Sequence, residues 1–141
     1  MKKYVKWLLL ILWMIVIFSF SNQNGQASQN VSDGLLFNIL NFLPFNLSAD
    51  IISILSILIR KMAHFIEYAI LGFLIKICLD DFKFNYVFII ALFLSFSYAF
   101  LDEVHQLFIA GRSFGYMDIM IDTMGALSGI WLAKVLIHEK T

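Results

Sequence analysis

Arg60-Lys61-Met62-Ala63-His64-Phe65-Ile66-Glu67-Tyr68 is the stretch that decides the fold, because it sets ionisable side chains directly before the apolar run 69–79. At about 100° per residue on an α-helix, Arg60, His64 and Glu67 fall on one narrow stripe. Charged side chains are costly beside lipid, so this stripe is expected to face other helices or a wet cavity. Lys61 points away from the stripe and is predicted to snorkel to the membrane interface.

The composition is that of a polytopic membrane protein. Of the 141 residues, 61 % are hydrophobic and 14 % are charged, and the mean hydropathy of +0.85 is too high for a soluble domain of this length. Ten basic and ten acidic residues give zero formal charge at pH 7, so no electrostatic footprint for nucleic acid is visible. The single cysteine, Cys78, excludes an internal disulfide.

Four apolar runs are predicted to cross the membrane as helices, at residues 4–20, 62–79, 84–101 and 116–137. The second belongs either to a long helix that starts above the membrane or to a span preceded by a separate short amphipathic helix. Ser48 or Asp50 is expected to start that region. The fold class is therefore an all-α polytopic membrane helix bundle with four transmembrane helices, forming a single domain over residues 1–141.

A short interfacial helix is expected between the first and second spans. The polar, uncharged residues 21–30 indicate an exposed loop, after which Ser32 or Asp33 can cap an apolar segment at 35–43. Pro44 would end that segment, which is too short to span and is placed at the interface or as a re-entrant element.

The distribution of lysines predicts the orientation. With the N-terminus inside, the cytoplasmic side carries seven lysines against Arg60, Lys61 and Arg112 outside, which favours cytoplasmic termini. The first run also resembles a signal sequence with a small-residue cleavage site at 25–27, but Trp7 and Trp13 make it bulkier than a usual signal core and favour an uncleaved anchor. The seven lysines are Lys2, Lys3, Lys6, Lys76, Lys83, Lys134 and Lys140.

Candidate site residues lie at the start of the second span and the end of the third. Arg60, His64 and Glu67 suit either an acid/base pair beside an anion-binding arginine or a structural ion-pair ladder. Asp102, His105 and Gln106 share an arc, with Glu103 at its edge. Such a cluster could hold a divalent cation or a phosphate-bearing partner, or it could be a solvated helix end.

The turn between the last two spans supplies further candidates. Gly111-Arg112-Ser113-Phe114-Gly115 predicts a tight turn, whose arginine can clamp a carboxylate or phosphate or pair internally with Asp118. On the last span, Asp118 and Asp122 share a stripe with Gly125 and Gly129, whose small-xxx-small spacing predicts helix packing. Asp122 lies about one turn below the surface and is expected to be protonated or paired with Arg60 or His64.

These motifs, in this order, resemble the VanZ-like family of small integral membrane proteins. The resemblance rests on residues 18–23, 60–68, 101–108, 111–113, Asp118 and 122–126. Ala110 departs from the family pattern, in which proline commonly precedes the glycine and stiffens the turn. The resemblance implies a protein integral to the bacterial cytoplasmic membrane, linked in the family's namesake to resistance against teicoplanin-type glycopeptides.

Three functions are compatible with these residues. The first is an outward-facing pocket that recognises an anionic lipid headgroup or a lipopeptide antibiotic. The second is an intramembrane hydrolase or transferase acting on a lipid-linked phosphate, with catalytic candidates His64, Glu67, Asp102, Glu103 and His105, and with Asp102, Glu103 and Asp118 binding metal or positioning water. The third is a small proton-coupled transporter that uses His64, Glu67 and Asp122 as a relay.

The sequence leaves open whether the protein is an enzyme and which metal or cofactor, if any, it holds. The expected partners are membrane lipids and a lipid-linked or lipopeptide ligand, with no nucleic acid. The predicted ligand-binding residues are Arg60, His64, Glu67, Glu103, His105, Gln106, Arg112, Ser113, Asp118 and Asp122.

Overall fold

The computed structural model describes residues 2–41, 47–82 and 85–138, and every regular element in these ranges is helical. Four of the helices are long and apolar enough to cross a membrane, which confirms the predicted span count. The elements are α1 (Lys3–Ser21), α2 (Gly25–Leu40), α3 (Ala49–Leu79), a 3₁₀ turn (Asp80–Phe82), α4 (Val87–Gln106) and α5 (Tyr116–His138).

Helix α2 begins ten residues earlier than the short segment predicted at 35–43, so the expected loop at 21–30 is wrong beyond Asn24. The side chain of Asn24 accepts a hydrogen bond from the backbone N–H of Ala27 at 2.7 Å and caps the helix. Ser32 and Asp33, the predicted caps, lie inside the helix. The predicted end at Pro44 and the predicted start of the third span at Phe84 lie outside the described residues.

Helix α3 is one continuous helix of 31 residues that starts after Ser48, so the long-helix alternative is the one observed. At about 1.5 Å per residue it is roughly 46 Å long, which exceeds the ~30 Å hydrocarbon core of a bilayer. Its first turns pack antiparallel to α2, where Gln29 Nε2 donates to Ser56 Oγ at 2.9 Å. Ser56 Oγ in turn donates to Asp33 Oδ1. Polar groups therefore join the two helices of this hairpin.

The closest helix packing joins α3 and α5, and glycines make it possible. A Cβ added at Gly125 would overlap the carbonyl oxygen of Phe65, and one at Gly129 would overlap that of Ala69. On the opposite side of the same contact, a Cβ at Gly72 would overlap the backbone of Ala126. The small-xxx-small interpretation of Gly125 and Gly129 is confirmed.

Helices α1 and α4 complete the bundle and leave apolar side chains on its exterior. Trp13 Nε1 donates to the carbonyl of Glu67 at 2.9 Å, and Tyr98 Oη donates to the carbonyl of Met14 at the same distance. One end of the bundle is closed by an ion pair between Lys6 and Asp81 at 2.5 Å. The other end carries the remaining polar side chains described below.

Candidate functional site

Contacts between different helices bring the predicted site residues to one end of the bundle. Lys61 on α3 pairs with Asp118 on α5, with 2.5 Å between Nζ and Oδ1. Glu103 Oε1 on α4 accepts a hydrogen bond from the backbone N–H of Gly115 at 2.7 Å. Arg112, in the loop between α4 and α5, reaches the end of α1. That this end faces the cell exterior stays a prediction from the lysine distribution.

Arg112 is fixed in place by neutral oxygen acceptors. Its Nε donates to the carbonyl of Gln23 at 3.3 Å, its Nη1 to Gln106 Oε1 at 3.2 Å and its Nη2 to the carbonyl of Phe20 at 3.5 Å. Within the described ranges, no carboxylate oxygen lies within 4.0 Å of this guanidinium. Burial, and after it the nearby positive charge of Arg60, lowers the pKa of Arg112 from its ordinary value, while Asp102, Glu103 and Asp118 act in the opposite direction. The group remains charged.

The structure gives Lys61 a partner that was not predicted and denies Arg112 one that was. Lys61 points away from the stripe, as expected, and pairs there with Asp118, because α5 packs on the side of α3 that Lys61 occupies. Asp118 is therefore already paired, and the predicted internal pair between Arg112 and Asp118 does not form. The consequence is that, in the described part of the chain, Arg112 has no carboxylate oxygen within 4.0 Å of its guanidinium, and Asp102, Glu103 and Asp118 act on its charge only from farther away.

Both arginines line one cavity of about 210 Å³ between the end of α1, α2 and α3. Arg60 has one long hydrogen bond, from Nη1 to Gln29 Oε1 at 3.5 Å. Polar and apolar side chains share the wall, so the cavity suits a molecule with a charged and an apolar part. The lining residues are Phe20, Gln23, Ser28, Val31, Ser32, Leu35, Ile59, Arg60, Ala63, His64, Glu67 and Arg112.

An imidazole between two carboxylates lies at the inner side of this cavity. His64 Nδ1 is 3.9 Å from Glu67 Oε2 and 3.9 Å from Asp122 Oδ1. Asp122 is only 2 % exposed, and of the two residues predicted to face it, His64 is the one that does. His64 Nδ1 and Asp122 Oδ1 are buried and have no hydrogen-bond partner in residues 2–41, 47–82 and 85–138.

The predicted residues of α4 surround the cavity without lining it. Gln106 Nε2 donates to Asp102 Oδ2 at 3.3 Å while its Oε1 holds Arg112, so Gln106 links the two groups. Glu103 is 2 % exposed and is engaged by the turn that precedes α5. The ring of His105 stacks on Phe18, with 5.0 Å between the ring centroids. Gln106 and Glu103 therefore hold Arg112 and the Gly115 backbone in place and do not face the cavity themselves.

The structure does not support the predicted ligand-binding role of Ser113 or a metal site formed by the acids of α4 and α5. Ser113 is exposed in the loop and is not part of the cavity wall. Across the described ranges, no three His, Cys, Asp or Glu side chains are grouped so that they could hold a metal ion. The acids of α4 and α5 point to separate partners, because Glu103 binds the Gly115 amide and Asp118 binds Lys61.

Sequence reasoning missed the contribution of α2 and of Gln23. Gln23, Ser28 and Ser32 line the cavity, and Gln29 holds Arg60. Gln23, Ser28 and Gln29 lie in the stretch 21–30 that was predicted to be a loop, and Ser32 was one of the two predicted caps. Asn24 followed by a polar stretch of helical length was the available signal for a capped helix.

A family model described as VanZ/LLP1 matches residues 6–137, nearly the whole chain. No curated protein and no solved structure matches the chain.

Proposed function

The chain belongs to the VanZ/LLP1 family, and from this premise we propose that it binds the anionic group of an amphiphile in the cavity between α1, α2 and α3. The amphiphile is a membrane lipid or a lipopeptide antibiotic of the teicoplanin type. The protein would then act in the cell envelope, at the outer surface of the cytoplasmic membrane.

The observation that carries this proposal is the environment of Arg112. A structural arginine in a partly buried site is normally compensated by a carboxylate, because an unpaired charge away from water is costly. Arg112 is instead held by three neutral oxygens, which fix the guanidinium and leave its charge available. A charged fork held this way is preorganised for an anion.

The second positive charge in the same wall supports the proposal. Arg60 shares the cavity with Arg112, and its single 3.5 Å hydrogen bond leaves most of its donors available. Apolar side chains of α1, α2 and α3 form the rest of the wall, so an anion attached to an alkyl chain fits better than a free ion.

Expression in a sensitive bacterium tests the antibiotic part. We expect the wild-type chain to raise the teicoplanin concentration needed to stop growth, and Arg60→Gln to abolish that increase at equal membrane abundance. Lys61→Gln is the matched control, because it removes a cation at the same end of the bundle but outside the cavity wall. No increase with correctly inserted wild-type protein would contradict the antibiotic part.

A hydrolase or transferase that acts on a lipid-linked phosphate is the second proposal. The position of His64 between Glu67 and Asp122 favours it, because carboxylates beside an imidazole suit a general base. Incubation of purified protein with a lipid phosphate, followed by analysis of the lipid and of released phosphate, separates the proposals. Turnover that disappears in His64→Asn would favour the enzyme, and intact lipid would favour binding alone.

A further inference from the structure

The size, charge and apolar rim of the cavity narrow the chemical class of the anion that it can bind. Resting on the proposed function, we infer that the group bound between Arg60 and Arg112 is the phosphate monoester of a lipid, whose chain leaves the cavity over α2.

The volume excludes a large enclosed ligand. Pockets that bury drug-sized molecules have volumes of roughly 300–1,000 Å³, whereas this cavity has about 210 Å³. A phosphate and a few attached atoms fit in it, but the peptide body of a lipoglycopeptide does not.

The two guanidinium groups of the wall can bind a dianion. Arg60 and Arg112 have no carboxylate within 4.0 Å in the part of the chain that the structure describes. Glu67 is the acid in the cavity wall, and it faces His64 Nδ1 at 3.9 Å. A phosphate monoester carries about −1.5 to −2 charges at pH 7. It can therefore place one negative charge against each guanidinium group, whereas a diester has a single charge to share between them.

The available donors match three terminal oxygens. Three of the N–H groups of Arg112 are used by Gln23, Gln106 and Phe20, and one of Arg60 is used by Gln29. The remaining N–H groups of the two forks are free to bind a ligand. A monoester presents three strong acceptor oxygens to these donors, and a diester presents only two unesterified ones.

The rim of the cavity indicates a lipid as the source of the phosphate. Val31 and Leu35 line the cavity and are 55 % and 52 % exposed, so they form an apolar path from the site to the surface. Ile59 of α3 lies in the same wall. An alkyl chain can follow this path and bury apolar surface, a contribution that inorganic phosphate lacks.

The test measures which lipids remain bound to the purified full chain. The protein is placed in phosphatidylcholine nanodiscs that contain equal mole fractions of phosphatidic acid, a monoester, and phosphatidylglycerol, a diester. Native mass spectrometry then reads the lipids that stay with the protein. We expect phosphatidic acid to be retained about tenfold more than phosphatidylglycerol, and we expect Arg60→Gln to remove the preference.

Control variants keep the result interpretable. Arg60→Gln is preferred to Arg112→Gln, because Arg60 makes one weak contact whereas Arg112 joins three segments of the chain. Lys61→Gln should keep the preference, and loss of the preference in that variant as well would overturn the assignment to the cavity. Inorganic phosphate added at the same concentration should compete poorly, and competition equal to that of phosphatidic acid would overturn the lipid source.

The remaining outcomes separate this inference from the proposed function. Equal retention of phosphatidic acid and phosphatidylglycerol that depends on Arg60 would leave the anion site intact and would overturn the monoester assignment. Retention of neither anionic lipid by folded wild-type protein would overturn both.

Discussion

His64 Nδ1 on α3 lies 3.9 Å from Asp122 Oδ1 on α5, and both atoms are buried with no hydrogen-bond partner among the described residues. Asp122→Asn keeps the shape of the side chain and removes its charge. Because the carboxylate oxygen facing His64 makes no hydrogen bond that the amide would lose, we expect the free energy of unfolding to stay within about 1 kcal/mol of wild type or to rise. Unfolding in mixed micelles measures this, and a loss above about 2 kcal/mol would contradict it.

Glu103 should behave in the opposite way. It is 2 % exposed and accepts the backbone N–H of Gly115 at 2.7 Å, so Glu103→Ala leaves that donor without its acceptor. We expect a loss of about 1–3 kcal/mol in the same unfolding measurement. Glu103→Gln keeps an acceptor oxygen and should recover most of the loss. Equal losses in the two variants would show that the charge of Glu103, and not its hydrogen bond, contributes to the free energy of unfolding.

The ion pair between Lys61 and Asp118 should contribute little to stability. The two side chains are 33 % and 37 % exposed, and exposed pairs are typically worth about 0–1 kcal/mol because water and ions screen them. A double-mutant cycle with Lys61→Gln and Asp118→Asn should give a coupling energy below about 1 kcal/mol. A larger coupling would mean that the pair is shielded from water in the membrane.

Alanine substitutions at Gly129 and Gly34 should separate the effect of helix packing on the free energy of unfolding from the effect of helix propensity. A Cβ at Gly129 would overlap the Ala69 carbonyl oxygen, so Gly129→Ala must push the helices apart and should cost about 1–3 kcal/mol. Gly34 in α2 has no atom within 4 Å of an added Cβ. Gly34→Ala is the matched control and should stabilise by about 0.5–1 kcal/mol. Destabilisation by both would indicate a cause other than packing.

Patterns within one helix were predictable from the sequence. The stripe of Asp118, Asp122 and Gly125 follows from the helical period, and so does the shared face of His64 and Glu67. The four spans follow from the length of the apolar runs, because lipid requires each crossing segment to satisfy its own backbone. Such features depend only on the residues of the segment itself.

Features that depend on a neighbouring helix were not predictable. Lys61 is directed away from the His64 stripe, but α5 lies on that side and supplies Asp118. The polar residues of α2 suggested a loop, but Gln29 and Ser56 meet across the α2 and α3 hairpin. In both cases the helical period gives the direction of a side chain, and only the tertiary packing gives its partner.

The two arginines should differ in their tolerance of lysine, and this difference tests how the anion is held. Arg112 uses Nε, Nη1 and Nη2 on three acceptors, two at the end of α1 and one on α4, a geometry that one ammonium group cannot reproduce. Arg112→Lys should therefore reduce retention of anionic lipid about tenfold although the charge is kept. Arg60 has only one bond of 3.5 Å, so Arg60→Lys should stay within about threefold of wild type. Equal effects of the two substitutions would mean that the site responds to net charge alone and that the fixed guanidinium of Arg112 has no special part in binding.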